Sequence, residues 1–423
     1  MQFEPKLYRL SNGVTVILDP MDLETVAVKV AFDTGSRDEK TDEHGITHFC
    51  EHMLCKGIPD LPNNKAIKNF IEDKAGVYNA STSNIRLALY GRIISENTND
   101  LLWLFSEMLK NSLFDEQKIE IERNVILDEL RRAQGNNTRK FSDMVNTNLF
   151  GYSSFYTLGT QENIMSFSRN QMLDWVHKRL SAQNCVIVIS GKIKDTDSLL
   201  SDIEKLFSFL PSNKVSKNKD LIYTPCDKFV PESSLKNVWL NILFPYIRPD
   251  SYENVRENLA ESKFHKYLIQ ELNETVRQQN GLVYGLGMVG FGNEYDGVHG
   301  INTETSPENL ERAVALIAQT SYRVLNNDKI TPQILERFLN RHKLSDADFL
   351  ESATHRCDVL VSNWLDFNMI YDFYKMQELD KSITVDDVKR ASKNFFDGPM
   401  SIMTFGAQYG DIDLRKIWID NFK

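Results

Sequence analysis

Between residues 44 and 56 the chain reads His44-Gly-Ile-Thr-His48-Phe-Cys-Glu51-His52-Met-Leu-Cys-Lys56. Two imidazoles four residues apart on a helix project from one face, about one turn apart. Neutral imidazole nitrogens at that spacing can hold one Zn²⁺. Counted at about 100° per residue from Ile46, His48 and His52 fall near 200° and 240°, with Glu51 at roughly 140° on the same side. Ile46, Phe49, Cys50 and Met53 lie between roughly 300° and 40°, which gives the helix an apolar back and a polar front. In the order His-x-x-Glu-His that front carries all three reactive groups, two imidazoles and one carboxylate. Metal-assisted hydrolysis of a peptide bond is the chemistry this set implies. The alternative is a solvated helix face on which the three groups happen to align.

A second set of carboxylates follows in Ile119-Glu-Ile-Glu122-Arg-Asn-Val125-Ile126-Leu-Asp-Glu129-Leu-Arg-Arg. Glu122 and Glu129 are two helical turns apart, with Val125 and Ile126 placed on the stripe between them. Carboxylates within an apolar stripe must be paired or metal-bound, because burying an isolated charge is expensive. Salt bridges to Arg123 or Arg132 are the competing explanation. Cys50 and Cys55 flank the histidines, but Cys50 falls on the apolar side and is expected to be a buried thiol.

The elements that must position these groups recur along the chain. Thr25–Phe32 alternates Val26, Val28, Val30 and Phe32 to one face, the period of a half-buried strand. Leu235–Phe244 repeats the pattern with Val238, Leu240, Ile242 and Phe244. Gly76-Val-Tyr78 recurs as Gly281-Leu-Val-Tyr284, and Cys185–Gly191 as Ser401–Gly406. The offsets are nearly constant, which implies an ancient duplication. Helical stretches over Asn97–Leu113, Asp115–Ala133 and Pro307–Leu325 separate the strands. The fold class expected is α+β: two duplicated α/β sandwich domains, each a mostly antiparallel sheet with helices packed on one face. The domains are placed at 1–210 and 233–423, joined by a polar linker over 211–232.

At 423 residues, 41% hydrophobic and 26% charged, the chain has the composition of a soluble multidomain protein. A net charge of −10 argues against nucleic acid as the partner. No apolar run approaches the roughly 20 residues of a membrane span, and no secretory signal is visible at the start. Five widely spaced cysteines fit a reducing compartment. A cytoplasmic location is expected, or an organellar matrix if a transit peptide has been removed.

With these motifs in place, the chain resembles the pitrilysin (M16-type) family of zinc peptidases, and within it the two-domain processing-peptidase branch. The resemblance implies His48, His52 and Glu129 as ligands of one Zn²⁺ per chain, with Glu129 on a stretch matching E-R-x-V-x-x-x-E. It implies Glu51 as general base and Glu122 as the carboxylate orienting a ligand histidine. Asp128 is expected to point away from the metal. Gly76-Val-Tyr-Asn79-Ala80-Ser-Thr82 resembles the family's substrate-binding edge strand, with Asn79 and Ala80 contacting the scissile region; an edge strand kept polar against aggregation is the other reading. Arg277-Gln-Gln-Asn-Gly-Leu-Val-Tyr284 matches R-x-x-x-G-L-x-Y, whose Arg277 and Tyr284 would contact substrate and stabilise the oxyanion. The chain departs from many relatives just before this motif: Glu261–Leu272 reads as a continuous helix where they carry a glycine-rich segment. His265 in that helix is read as packed or solvated rather than metal-bound.

The function so implied is a zinc-dependent metalloendopeptidase acting on peptides or unfolded segments. The resemblance further implies a homodimer in which Arg277 and Tyr284 of one subunit complete the zinc site of the other, with a heteromeric partner possible. Two other functions fit the same motifs: a non-catalytic partner subunit of a processing-peptidase-like complex, and a maturation protease dedicated to one precursor peptide.

Overall fold

The computed structural model describes residues 2–217, 222–246, 251–292, 297–327 and 329–423; part of the expected linker, 218–221, therefore lies outside the described residues. The chain forms two compact units. The first comprises Met1–Lys140, Ser154–Asn218 and Ser345–Asp372, and the second Phe141–Ser153, Lys219–Leu344 and Phe373–Lys423.

In the first unit six strands, β1 (Lys6–Arg9), β2 (Thr15–Pro20), β3 (Thr25–Phe32), β4 (Gly76–Thr82), β5 (Leu87–Ile94) and β6 (Cys185–Gly191), form one sheet in the order β1-β2-β6-β3-β5-β4. Only the β2–β6 pair is parallel. In the second unit β7 (Lys228–Pro231), β8 (Val238–Pro245), β9 (Leu286–Gly292), β10 (Gly297–Thr305) and β11 (Ser401–Gly406) run in the order β7-β11-β8-β10-β9, with β7–β11 alone parallel. Once β1 is set aside, the two sheets share one strand order and one pattern of directions, as the duplication requires. Even the strand-ending glycines correspond. Gly191 and Gly406 have φ of +134° and +130°, and a Cβ on either would meet a backbone carbonyl oxygen at 2.3 Å and 2.2 Å. Only glycine tolerates both conditions. One pair of the repeat is placed differently: Gly76–Tyr78 opens β4, whereas Gly281–Tyr284 precedes β9, which begins at Leu286.

Period-2 alternation builds each core. Val26, Val28, Val30 and Phe32 of β3 enter the first core with Ile187 and Ile189 of β6 and the apolar back of the Ile46–Leu54 helix (α1). Val238, Leu240, Ile242 and Phe244 of β8 enter the second core with the Tyr252–Leu272 and Leu310–Asn326 helices. These form the helical layer on one face of each sheet.

Each sheet also receives one helix on its opposite face. In the first unit the Ala353–Phe367 helix lies over β3 and β6, where Cys357 Sγ sits 3.4 Å from the Ala27 carbonyl oxygen. Arg356 of that helix donates to Asp19 at 3.0 Å, and both side chains are fully buried. In the second unit Phe141, Met144, Val145 and Leu149 pack on Leu243, Met403 and Phe405, side chains that alternate with those of the main core.

Candidate metal centre

The local structure of α1 starts at its N-terminus. Gly45 takes φ +94°, and a Cβ there would lie 2.5 Å from Gly159 Cα, so the helix enters through a turn open only to glycine. The buried Glu39 carboxylate accepts from the Gly45 and Thr47 amides at 2.8 and 2.9 Å. A carboxylate at this end satisfies orphan N–H groups and complements the helix dipole. Ile46, Phe49, Cys50 and Met53 are buried, which fixes the rotation of the helix and turns the polar front away from the core.

On that front His48 Nε2 and His52 Nε2 lie 3.7 and 3.8 Å from the same oxygen, Glu129 Oε2. All three potential ligand atoms fall within 4.8 Å of one another. The two imidazoles are 4.6 Å apart between ring centres, tilted by 74°. Zinc bound tetrahedrally at about 2.0–2.1 Å needs ligand atoms roughly 3.3–3.4 Å apart, so the donor set fits the ion with a small contraction. Burial, and secondarily the neighbouring His52, push the His48 imidazole down to about 3, so it is neutral and ligand-competent near pH 7.

Glu122 stands behind His52. Its Oε2 is 2.9 Å from His52 Nδ1, and its Oε1 is 2.7 Å from Lys56 Nζ. Burial alone would raise the Glu122 carboxyl, but His52 and Lys56 outweigh it and hold it below the usual range. An ionised Glu122 keeps the proton of His52 on Nδ1 and leaves the Nε2 lone pair facing Glu129. Neither proposed arginine bridge forms: Arg123 pairs with Glu120, and Arg132 donates to the Asp128 carbonyl. Asp128 itself is exposed and paired with Arg131 at 2.6 Å, directed to solvent as expected. The stripe between the two glutamates is only half buried, since Ile126 is in the core while Val125 is on the surface.

Glu51 occupies the same front. Burial raises its carboxyl above the ordinary range, and Thr82 Oγ1 donates to its Oε2 at 3.1 Å. Thr82 ends β4, the strand at the edge of the sheet, which among the described residues is paired only with β5. An open cleft of ≈440 Å³ runs between α1 and β4, lined by Glu51, His52, Tyr78, Asn79 and Ala80 among others. Asn79 and Ala80 thus lie beside Glu51 and His52 on the edge strand, where the Ala80 amide donates to Asn79 Oδ1 at 2.9 Å. Cys55 lines the same cleft, but burial pushes its thiol up to about 12. Cys50 is on the apolar back, its Sγ 3.5 Å from the Met172 carbonyl oxygen.

Lys56, Thr82 and Glu39 were given no role in the sequence. Thr82 closes the Gly76–Thr82 motif and was visible there as its last polar position. Lys56 and Glu39 act across distances of 66 and 8 residues and left no local signal.

Arg277 and Tyr284 belong to the second unit. Arg277 lies in a π-helical segment, Asn273–Gln279, that follows the Tyr252–Leu272 helix without a break. Such segments recur at functional sites. Arg277 is exposed, and Tyr284 is 86% exposed on the stretch leading to β9.

The chain belongs to the M16 peptidase family. Residues 15–157 match the model for insulinase (peptidase family M16), and residues 166–341 match that for the peptidase M16 inactive domain. Among relatives, an uncharacterized zinc protease of Rickettsia felis is 27% identical, over 96% of this chain and 98% of its own length. A probable mitochondrial-processing peptidase subunit beta of Arabidopsis thaliana is 31% identical over 51% of this chain and 41% of its own. The fold resembles that of a protease from Helicobacter pylori, with a TM-score of 0.80 at 17% identity, over 96% of this chain and all of the other. No helix among the described residues is long and apolar enough to cross a membrane.

Proposed function

We propose that this peptidase is a zinc-dependent endopeptidase with one catalytic zinc per chain, held by His48, His52 and Glu129. The observation that carries the proposal is the convergence of both Nε2 atoms on Glu129 Oε2, with Glu51 on the same helix face and an open strand edge alongside. Bound there, zinc supplies a water of lowered pKa and polarises the scissile carbonyl. Glu51 takes the proton of the attacking water and returns it to the leaving amine, and Thr82 holds the carboxylate in position. Glu122 and Lys56 fix the orientation of His52. The substrate backbone adds to β4 as a further strand, beside Asn79 and Ala80. Affinity then comes from main-chain hydrogen bonds, which suits peptides and unfolded segments of varied sequence.

Arg277 and Tyr284 contact the substrate and stabilise developing negative charge. Their exposure within one chain leaves them available to a second copy, and a homodimer would provide two composite sites by one two-fold operation. A heteromeric partner supplying the same groups is the second assembly considered, consistent with similarity to a protein named as a subunit.

Peptidase assays on chelator-stripped and zinc-reloaded protein test the reading, with elemental analysis of each variant. Activity is expected to vanish on stripping and return with zinc. Glu51→Gln should keep its zinc while turnover falls by at least roughly 10²-fold. Full zinc occupancy in His48→Ala, His52→Ala and Glu129→Gln alike would remove the ligand assignment.

A further inference from the structure

The second unit contains a histidine–carboxylate cluster of its own. Glu261 and His265 lie four residues apart on the Tyr252–Leu272 helix, and His299 projects from β10. Their potential ligand atoms, like those of the first unit, all lie within 4.8 Å of one another. His265 Nε2 is 3.2 Å from Glu261 Oε1, and His299 Nε2 is in close contact with the same oxygen. The two imidazoles are 4.6 Å apart between centres and tilted by 85°, against 4.6 Å and 74° for His48 and His52.

Burial makes this cluster unusual. Glu261 is 4% exposed and His265 is 8% exposed. Glu261 Oε1, His265 Nε2 and His299 Nε2 are all buried, and none makes a hydrogen bond of acceptable geometry. Two imidazole nitrogens have therefore been taken out of water and aimed at a single buried carboxylate oxygen. Such an arrangement is costly unless something binds at their common point. Phe395 closes it on one side, 4.7 and 5.5 Å from the two imidazole centres, and Tyr246 packs on His299 at 5.1 Å.

We propose that Glu261, His265 and His299 form a second divalent metal site, specific to the second unit, that binds a first-row transition ion such as Zn²⁺ and ties the Tyr252–Leu272 helix to β10. Two imidazole nitrogens and one carboxylate oxygen are a donor set for Zn²⁺ and its neighbours rather than for Mg²⁺ or Ca²⁺. The duplication provides the helical half of the site: the spacing from His48 to Glu261 and from His52 to His265 is 213 residues in each case, within one residue of the offset between Val26 and Val238. The strand supplies the third ligand, where the first unit takes Glu129 from a helix. Phe264 stands in the position of Glu51, and Phe395 and Tyr246 pack on the imidazoles, so the ion's role is to brace the unit.

Metal counting tests this without reference to peptidase activity. Chelator-stripped protein is reloaded with Zn²⁺ or Co²⁺, freed of excess metal and analysed for metal per chain. Glu261→Gln, His265→Ala and His299→Ala are each expected to lose one ion per chain relative to the parent. The double variant His48→Ala/His52→Ala should still bind one Co²⁺ with visible d–d absorption bands. Those bands should disappear when His299→Gln is added. A rise in Tm on adding Zn²⁺ to the double variant, absent once His299→Gln is added, reports the brace separately from the count. Unchanged metal content in folded Glu261→Gln and His299→Ala proteins overturns the proposal. So does a metal-free His48→Ala/His52→Ala protein with native circular dichroism. Loss of the N-terminal ion alone would bear only on the catalytic ligand assignment.

Discussion

Glu122 Oε2 lies 2.9 Å from His52 Nδ1 while Lys56 holds the other carboxylate oxygen at 2.7 Å, so one buried carboxylate is fixed from two sides and in turn fixes a histidine. That arrangement decides which nitrogen of His52 carries the proton. Glu122→Gln retains the shape but weakens the acceptor. It is expected to lower zinc affinity by about 10- to 100-fold, the usual effect of removing a partner of a ligating histidine. Competition with a chromophoric chelator measures it. Wild-type affinity in the variant would show that His52 is oriented by packing alone.

The composite-site proposal predicts complementation between two defective chains. Glu51→Gln and Arg277→Ala should each be nearly inactive alone. Mixed under conditions where subunit exchange is verified, they should regain activity, because one site in each heterodimer pairs an intact zinc half with an intact Arg277. Exchange without recovered turnover would place the action of Arg277 elsewhere.

The buried His48 makes the metal-free protein sensitive to acid. Its folded value of about 3 lies below the 6.5 of a free imidazole. Between those limits the unfolded chain binds a proton that the folded one refuses, so stability falls as the pH drops from about 6.5 toward 3. One such group contributes a slope of up to about 1.4 kcal/mol per pH unit. Urea denaturation of chelated protein at several pH values should show a shallower slope for His48→Gln than for the parent. Parallel slopes would mean that His48 charges freely in the fold.

Much of this arrangement was legible in the chain. His48, Glu51 and His52 stand on one helix face because Ile46, Phe49, Cys50 and Met53 demand the other, and that periodicity is local. The equivalent strands β3 and β8 announced themselves in the same way. Contacts between distant segments left no such trace. Lys56 reaches Glu122 and Thr82 reaches Glu51 across folds of the chain that no period encodes. An amphipathic helix also does not say which sheet it will cover, so the placement of Ala353–Phe367 over β3 and β6 had no signature. Val125 shows the converse failure, an apolar residue at the right angle that the fold leaves on the surface.

Arg356 and Asp19 offer the clearest stability test. Both are fully buried and 3.0 Å apart, and the Arg356 guanidinium also donates to the Leu350 carbonyl oxygen at 2.7 Å and lies over the Phe3 ring. Arg356→Ala strands the Asp19 carboxylate and should cost about 3–5 kcal/mol. The double change Asp19→Asn/Arg356→Met should recover part of that loss. Chemical denaturation of Asp19→Asn, Arg356→Met and the double variant decides the matter, and additive losses would mean that the two residues act independently.

The Ala353–Phe367 helix also sets an order on biosynthesis. A ribosome making this chain from its N-terminus finishes all six strands of the first sheet by Gly191, yet the helix that shields the second face of that sheet emerges more than 160 residues later. Until then, the Ala27 and Val188 side of the nascent sheet lacks the helix that Cys357 packs against it. The histidine helix can therefore be complete long before the scaffold beneath it is closed. A partly made chain therefore presents an apolar sheet face open to non-native packing.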